Sequence, residues 1–144
     1  MGKSTDIRCV GANLYFLPVE TRVPLKFGAE TFTSVTCARV CVRVEGGNGQ
    51  SAEGWGETPL SVTWVWPSEL AYEVRHEAMR AFCIHLAEAW SGFNGSGHPI
   101  ELGHDFLEGE LPQLLPGFND CREGAPMPWL AALVCNSLFD IALH

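Results

Sequence analysis

The residue types that most often carry out enzymatic chemistry are present in this 144-residue chain, but they are scattered. Five histidines occur, and no two of them have the His-x3-His spacing that places two imidazoles on one face of a helix. His76 and His85 lie nine residues apart, so a helix would turn them in opposite directions. No serine stands in a Gly-x-Ser-x-Gly turn. The sequence therefore predicts no catalytic residue and no metal ligand.

The cysteines also lack the spacing of a metal or disulfide site. Six occur, at positions 9, 37, 41, 83, 121 and 135, with no Cys-x-x-Cys pair. Cys37 and Cys41 share one face of a predicted strand, about 13 Å apart at the usual rise per residue. A disulfide needs Cα atoms within about 7 Å of each other, so these two cannot bridge. We expect free, buried thiols in a reducing compartment.

Two segments carry the side chains that could contact a ligand. The first, residues 18–31, joins two basic side chains to several apolar ones. The second, residues 54–66, holds three tryptophans, which is more apolar area than a solvated loop keeps. These indoles either cover the end of a sheet or pack against a partner domain and wall a ligand site. Glu57 also has two possible interpretations: its carboxylate is either structural or faces a ligand.

Charge and hydropathy exclude several classes of protein. The formal net charge is −8, and an acidic surface repels the phosphates of nucleic acids. No apolar run reaches the roughly 18 residues needed to span a bilayer. The first twenty residues show no basic segment followed by an apolar one, as a secretory signal would. We expect a cytoplasmic protein with neither a nucleic-acid nor a membrane partner.

The apolar residues change from a two-residue to a 3.6-residue period near Pro59. Before it, strands are predicted over about 7–17, 33–45 and 51–57, joined by a long loop over 19–31 and a glycine turn at 46–49. After it, helices are predicted over about 68–90, with Ser68 as N-cap, and over about 99–111, where Pro112 should end the helix. The order predicts an α+β fold, a three-stranded antiparallel meander followed by a helical subdomain.

The last segment, residues 127–144, differs from the rest. It is apolar nearly all round, so a helix there must be buried on most sides. No Gly, Asn or Pro closes it in the usual way. We therefore expect an α+β domain over 1–126 and a linker helix over 127–144. That helix should pack on a part of a longer chain or on a second copy, and we expect a homo-oligomer.

The order and spacing of these features resemble the amino-terminal domain of the mandelate racemase and muconate-lactonizing branch of the enolase superfamily. The resemblance covers the strand, loop, strand, glycine turn and the short strand that ends in Gly-Trp-Gly-Glu. VETRVPLKFG is similar to the mobile loop of that family, and MPWLAALVCNSLFDIALH to the helix that leads into its barrel.

The resemblance implies a capping domain over a (β/α)7β barrel that this chain lacks. In that family, barrel residues abstract a proton next to a carboxylate and Mg²⁺ stabilises the enediolate. The base lysines and acidic metal ligands lie on barrel strands, and the only lysines here are Lys3 and Lys26. The chain alone is expected to be inactive. The full-length enzyme would be a racemase, epimerase, cycloisomerase or dehydratase that uses Mg²⁺ and a small carboxylate substrate.

By the same resemblance, the two segments correspond to substrate-specificity loops over the barrel mouth. Their candidate residues are Val19, Arg22, Pro24, Phe27, Trp55, Glu57 and Thr58. The alternative is a stand-alone α+β binding module that holds a protein or small-molecule partner on a tryptophan-rich edge. The unclosed, apolar last helix favours the capping domain.

Overall fold

A computed structural model describes residues 2–27 and 29–144 of the chain. It confirms an α+β fold in which one antiparallel sheet, in the order β1–β2–β3, is followed by helices. The strands are β1 (Ile7–Phe27), β2 (Glu30–Gly46) and β3 (Ser51–Pro59). The helices are α1 (Val62–Val65), α2 (Tyr72–Ser91), α3 (Pro99–Asp105), a π-helical turn (Phe106–Glu110), α4 (Leu111–Asp120) and α5 (Trp129–Leu143).

The sheet turns one face toward the helices and leaves the other outside. On β2 the inward side chains include Ala38, Val40 and Val42, all fully buried. Their neighbours on β1 are Ala12, Leu14 and Phe16, because the register pairs these residues directly. Apolar residues at every second position are what a half-buried strand requires, because successive side chains point to opposite faces of the sheet.

Helix α5 lies directly on β3, and two glycines make this possible. A Cβ atom at Gly54 would strike the carbonyl oxygen of Ala142, and one at Gly56 would strike that of Leu138. Both contacts would fall far inside van der Waals distance, so only glycine fits there. The Gly-Trp-Gly-Glu run is therefore a packing motif. Its glycines face α5, while Trp55 and Glu57 point to the outer face.

The last helix belongs to the same core as the sheet and α2. Its buried side chains join a cluster that includes Phe82 and Leu86 of α2. The most enclosed residues of α5 are Ala131, Ala132, Cys135, Leu138 and Phe139. As a packing unit, α5 is continuous with the residues before it. That it also leads into a further domain stays a prediction.

Two predicted helix boundaries are wrong. Helix α2 begins at Tyr72 and not at Ser68, because the Ser68 hydroxyl accepts a hydrogen bond from the Leu70 amide (3.1 Å) and holds a turn. The third helical segment does not end near residue 111 but continues through the π-helical turn to Asp120. Pro112 directly follows the π-helical turn, in which the Leu111 amide donates to the Phe106 carbonyl five residues back.

The burial of the thiols is confirmed with one exception. Cys9, Cys37, Cys41, Cys83 and Cys135 are buried, and Cys121 after α4 is exposed. Burial raises the pKa of the Cys135 thiol well above its ordinary value, with a neighbouring Cys83 thiol as a lesser cause. Across the part of the chain that the structure describes, no helix is both long and apolar enough to cross a membrane.

Candidate functional site

The two-stranded end of the sheet forms an arm that projects past the third strand. Strand β3 stops pairing with β2 at Pro59, opposite Cys37. Strands β1 and β2 continue to pair with each other as far as Phe27 and Glu30. We call residues 18–36 of this hairpin the arm. Residues 30–36 of β2 lie next to β1 on one side and have no strand partner on the other side among the described residues.

The predicted loop over 19–31 is wrong, because most of it is strand. The pairing skips from Glu20–Ser34 to Leu25–Phe32, so four residues of β1 stand opposite Thr33 alone. This bulge accommodates Pro24, which has no N–H to offer a ladder. The Thr21 hydroxyl closes the bulge by donating to the Thr33 carbonyl (3.2 Å). Gly28 and the Phe27 side chain lie outside the described residues.

A cavity of about 440 Å³ lies between the arm and the chain that connects β3 to α1. We call it the arm groove. It is the place where the two segments singled out in the sequence meet, since one wall comes from the arm and the other from residues 59–64. The residues that line it are Thr21, Leu25, Phe32, Ser34, Val35, Pro59, Leu60, Ser61, Val62, Trp64 and Tyr72.

The three tryptophans take three different positions, so they do not share one structural role. Trp66 is 2% exposed and fills the core. Trp64 is 64% exposed and forms one rim of the arm groove. Trp55 is 56% exposed on the outer sheet face, where its ring stacks on Tyr15 at 6.1 Å between centroids.

None of the candidate site residues that the structure describes lines the arm groove. Val19, Arg22 and Pro24 are exposed on the arm. The Glu57 carboxylate points to the outer sheet face and pairs with the guanidinium of Arg39 (2.6 Å). This pair is solvent-exposed, so it contributes little stability.

Thr58 faces inward. Its hydroxyl lies 2.7 Å from that of Ser137 on α5. The Ser137 hydroxyl donates to the Val134 carbonyl (2.7 Å), so the Thr58 hydroxyl is the donor of the pair. Thr58 therefore helps to hold α5 against β3. A direct role for the candidate residues in substrate selection stays a prediction.

Tyr72 of α2 also lines the arm groove, and the imidazole of His76 anchors this wall to the sheet. The rings of Tyr72 and His76 stack at 5.7 Å, and His76 Nε2 lies 2.9 Å from the Thr36 hydroxyl. Burial lowers the pKa of His76, and it outweighs the opposing effect of Glu77, 3.8 Å away. Burial also raises the pKa of the Tyr72 phenol. Both rings are therefore neutral near pH 7.

Acidification is expected to destabilise this wall. Because the folded pKa of His76 lies below its ordinary value of 6.5, the unfolded chain binds the proton first. Stability is therefore unaffected by this group above about pH 6.5 and falls as the pH drops through the folded pKa. NMR titration of the His76 imidazole checks this, and a pKa above 6.5 would contradict it. His76→Gln should remove this part of the pH dependence.

Comparison with known proteins places the fold. No protein-family model and no curated protein sequence matches this chain. Among solved structures it is similar to the L-Ala-D/L-Glu epimerase from Bacillus subtilis, with a TM-score of 0.56, 17% identity and 94% of this chain covered. It is similar to an enolase from Bradyrhizobium complexed with magnesium and mandelic acid (0.56, 12%, 98%). A third is the L-talarate/galactarate dehydratase from Salmonella typhimurium LT2 (0.52, 15%, 96%).

One of these enzymes, the enolase from Bradyrhizobium, is complexed with magnesium. Within residues 2–27 and 29–144, no three His, Cys, Asp or Glu side chains come together as metal ligands. The matched region is 30%, 31% and 29% of the three enzymes, so this chain spans about a third of their length. As the sequence predicted, the chain has an α+β fold, and this fold is similar to the matched part of each of the three enzymes.

Proposed function

We propose that this chain is the amino-terminal capping domain of a Mg²⁺-dependent enzyme that abstracts a proton next to a carboxylate. The observation that carries the proposal is the arm groove, in which two segments distant in sequence meet at one end of the sheet. A substrate held under this end would be oriented and shielded from water by the arm and by residues 59–64. The enzyme would be a racemase, epimerase, cycloisomerase or dehydratase.

The catalytic base and the metal ligands would come from a barrel domain. No group of metal ligands occurs among the described residues, and we assign every chemical step to the barrel. This chain's own part is to bind the substrate, to position it and to exclude water. Val19, Arg22 and Pro24 on the arm are proposed as the outer rim of this enclosure, whereas Trp55 and Glu57 lie on the outer face of the sheet and are not part of it.

The exposed side of α5 supports a covering domain. Trp129, Leu130 and Ile141 are 42%, 43% and 49% exposed, although the opposite side of the helix is fully buried. Full burial of an exposed apolar side chain contributes roughly 1.5–3 kcal/mol, and these half-exposed side chains would gain roughly half of that each. A barrel or a second copy of the chain that covered these side chains would stabilise the assembly by this amount. The alternative, a stand-alone module with a tryptophan-rich edge, has weaker support because the three indoles form no common edge.

The experiment is an isotope-exchange assay. The polypeptide that carries this sequence would be affinity-purified from the cells that encode it and incubated in D₂O with a panel of carboxylic acids. Loss of the NMR signal of the proton next to the carboxylate is expected with Mg²⁺, and no loss after EDTA treatment. The isolated 144-residue chain is expected to show no exchange and no micromolar Mg²⁺ site by calorimetry. Metal-independent exchange, or exchange by the isolated chain, would contradict the proposal.

A further inference from the structure

We propose that the arm groove binds an uncharged, apolar group of the substrate, either an aromatic ring or a branched aliphatic chain. This inference rests on the proposed function, because it names the class of substrate that the capping domain selects. The capping domain would favour carboxylates that carry an apolar substituent over polyhydroxylated acids.

The chemistry of the lining carries the inference. No charged side chain is among the described residues that line the arm groove, and aliphatic or aromatic groups supply most of its surface. The Thr21 hydroxyl is already engaged with backbone carbonyls of β2 at 3.2 and 3.5 Å. The other polar side-chain groups in the described lining are the hydroxyls of Ser34, Ser61 and Tyr72 and the indole N–H of Trp64. A polyhydroxylated ligand would leave most of its hydroxyls unpaired here, which is strongly unfavourable.

The side of the arm groove opposite the arm is preformed, since residues 59–64 and Tyr72 are both tied to one residue of β2. The Leu60 amide donates to the Thr36 carbonyl (2.8 Å), which fixes the connection that carries Trp64. The Thr36 side chain contacts His76, on which Tyr72 stacks. Trp64 and Tyr72 therefore face the arm from fixed positions. A preformed apolar cleft of this volume is typical of a small-molecule site.

The carboxylate of the ligand would stay outside the arm groove. A buried carboxylate needs a cationic or hydrogen-bonding partner, and the described lining has no cation. The apolar group would enter between Leu25 and Trp64, with the carboxylate directed toward the space below the arm. This arrangement leaves the reacting end of the substrate free for the barrel.

The test uses the 144-residue chain and NMR of its five tryptophan indole N–H groups. The probes are 3-phenylpropanoate and 4-methylpentanoate, with galactarate as the polyhydroxylated control. Both apolar probes should shift the indole signal of Trp64 in a saturable manner. The indole signal of Trp55, which is about equally exposed on the other face of the sheet, should not move. Galactarate should shift neither signal.

Matched variants locate the site. Trp64→Ala is expected to weaken binding of 3-phenylpropanoate by about tenfold or more, since one aromatic wall is lost. Trp55→Ala should leave the affinity unchanged. Leu25→Glu places a charge in the arm groove at a half-exposed position, where folding should survive, and it should abolish binding.

The inference is overturned if neither apolar probe shifts Trp64, if galactarate binds as well as they do, or if Trp55→Ala weakens binding as much as Trp64→Ala. These outcomes are independent of the isotope-exchange assay. Probe binding in the arm groove without Mg²⁺-dependent exchange by the natural polypeptide would remove the proposed function and leave the site. Mg²⁺-dependent exchange by the natural polypeptide without probe binding would support the proposed function and remove the site.

Discussion

Replacing Gly56 with alanine is expected to lower the free energy of unfolding by about 3 kcal/mol or more, the upper end of the range for overpacking a core. The added methyl group would meet the carbonyl oxygen of Leu138 and the amide nitrogen of Ala142, both in the backbone of α5. Backbone atoms cannot rotate away as a side chain can. Helix α5 would have to move off β3 as a unit. Urea unfolding monitored by circular dichroism measures the loss.

Gly117→Ala is the matched control. A Cβ atom at Gly117 in α4 would meet nothing within 4 Å. Alanine there should raise stability by up to about 1 kcal/mol, since glycine in a helix interior is unfavourable. If Gly56→Ala were as stable as the original chain, α5 would not lie on the backbone of β3 and the described packing would be incorrect.

Replacing Trp90 with alanine is expected to cost about 3–5 kcal/mol, as is usual for a large aromatic residue in a core. Its ring is fully buried and stacks on Phe106, with 3.9 Å between centroids. Its indole N–H donates to the side-chain oxygen of Asn136 (2.9 Å), which ties α2 to α5. Because the loss approaches the whole stability of a typical domain, partial unfolding at room temperature should be visible by near-UV circular dichroism.

The hydrogen bond can be separated from the packing. Asn136→Leu leaves the indole N–H of Trp90 buried and unpaired, which should cost about 1–3 kcal/mol. In a Trp90→Phe background the same substitution should cost less, with a coupling energy of about 1–2 kcal/mol. Trp129→Ala, at a half-exposed position, should change stability little. Equal effects of Asn136→Leu in both backgrounds would show that the hydrogen bond is not formed.

The sequence predicted the order of the elements because the local signals agree with the fold. The alternation in β2, the glycine turn after it and the change of period near Pro59 are each decided within a few residues. The Gly-Trp-Gly-Glu strand was also predicted, although its glycines serve packing against α5, which lies some eighty residues further along the chain. Such a long-range contact leaves no periodic signal.

The arm was missed because Pro24 and the bulge interrupt the alternation of β1. Whether such a segment is a loop or a strand depends on its partner, and β2 supplies that partner only in three dimensions. The lining of the arm groove was missed for the same reason. A hairpin shows which of its residues share a face only after the register is known, and the register shifts between Glu20 and Leu25.

Helix α5 shows another limit of sequence reasoning. Its composition predicted burial on most sides, and the domain itself covers the side that carries Ala131, Leu138 and Phe139. Nothing in the sequence marks which apolar residues the domain leaves uncovered. Leu130 and Ile141 are identified only by the packing of the helix on β3.

The most direct test of the central claim, that this domain caps a barrel, is the mass of the polypeptide that carries this sequence, purified from the cells that encode it. If this domain caps a barrel, the purified polypeptide should have about three times the 15.8 kDa of this chain. A tight complex with a separate barrel polypeptide of the remaining mass would agree equally well. A monodisperse, monomeric 15.8 kDa chain with no second polypeptide attached would contradict it.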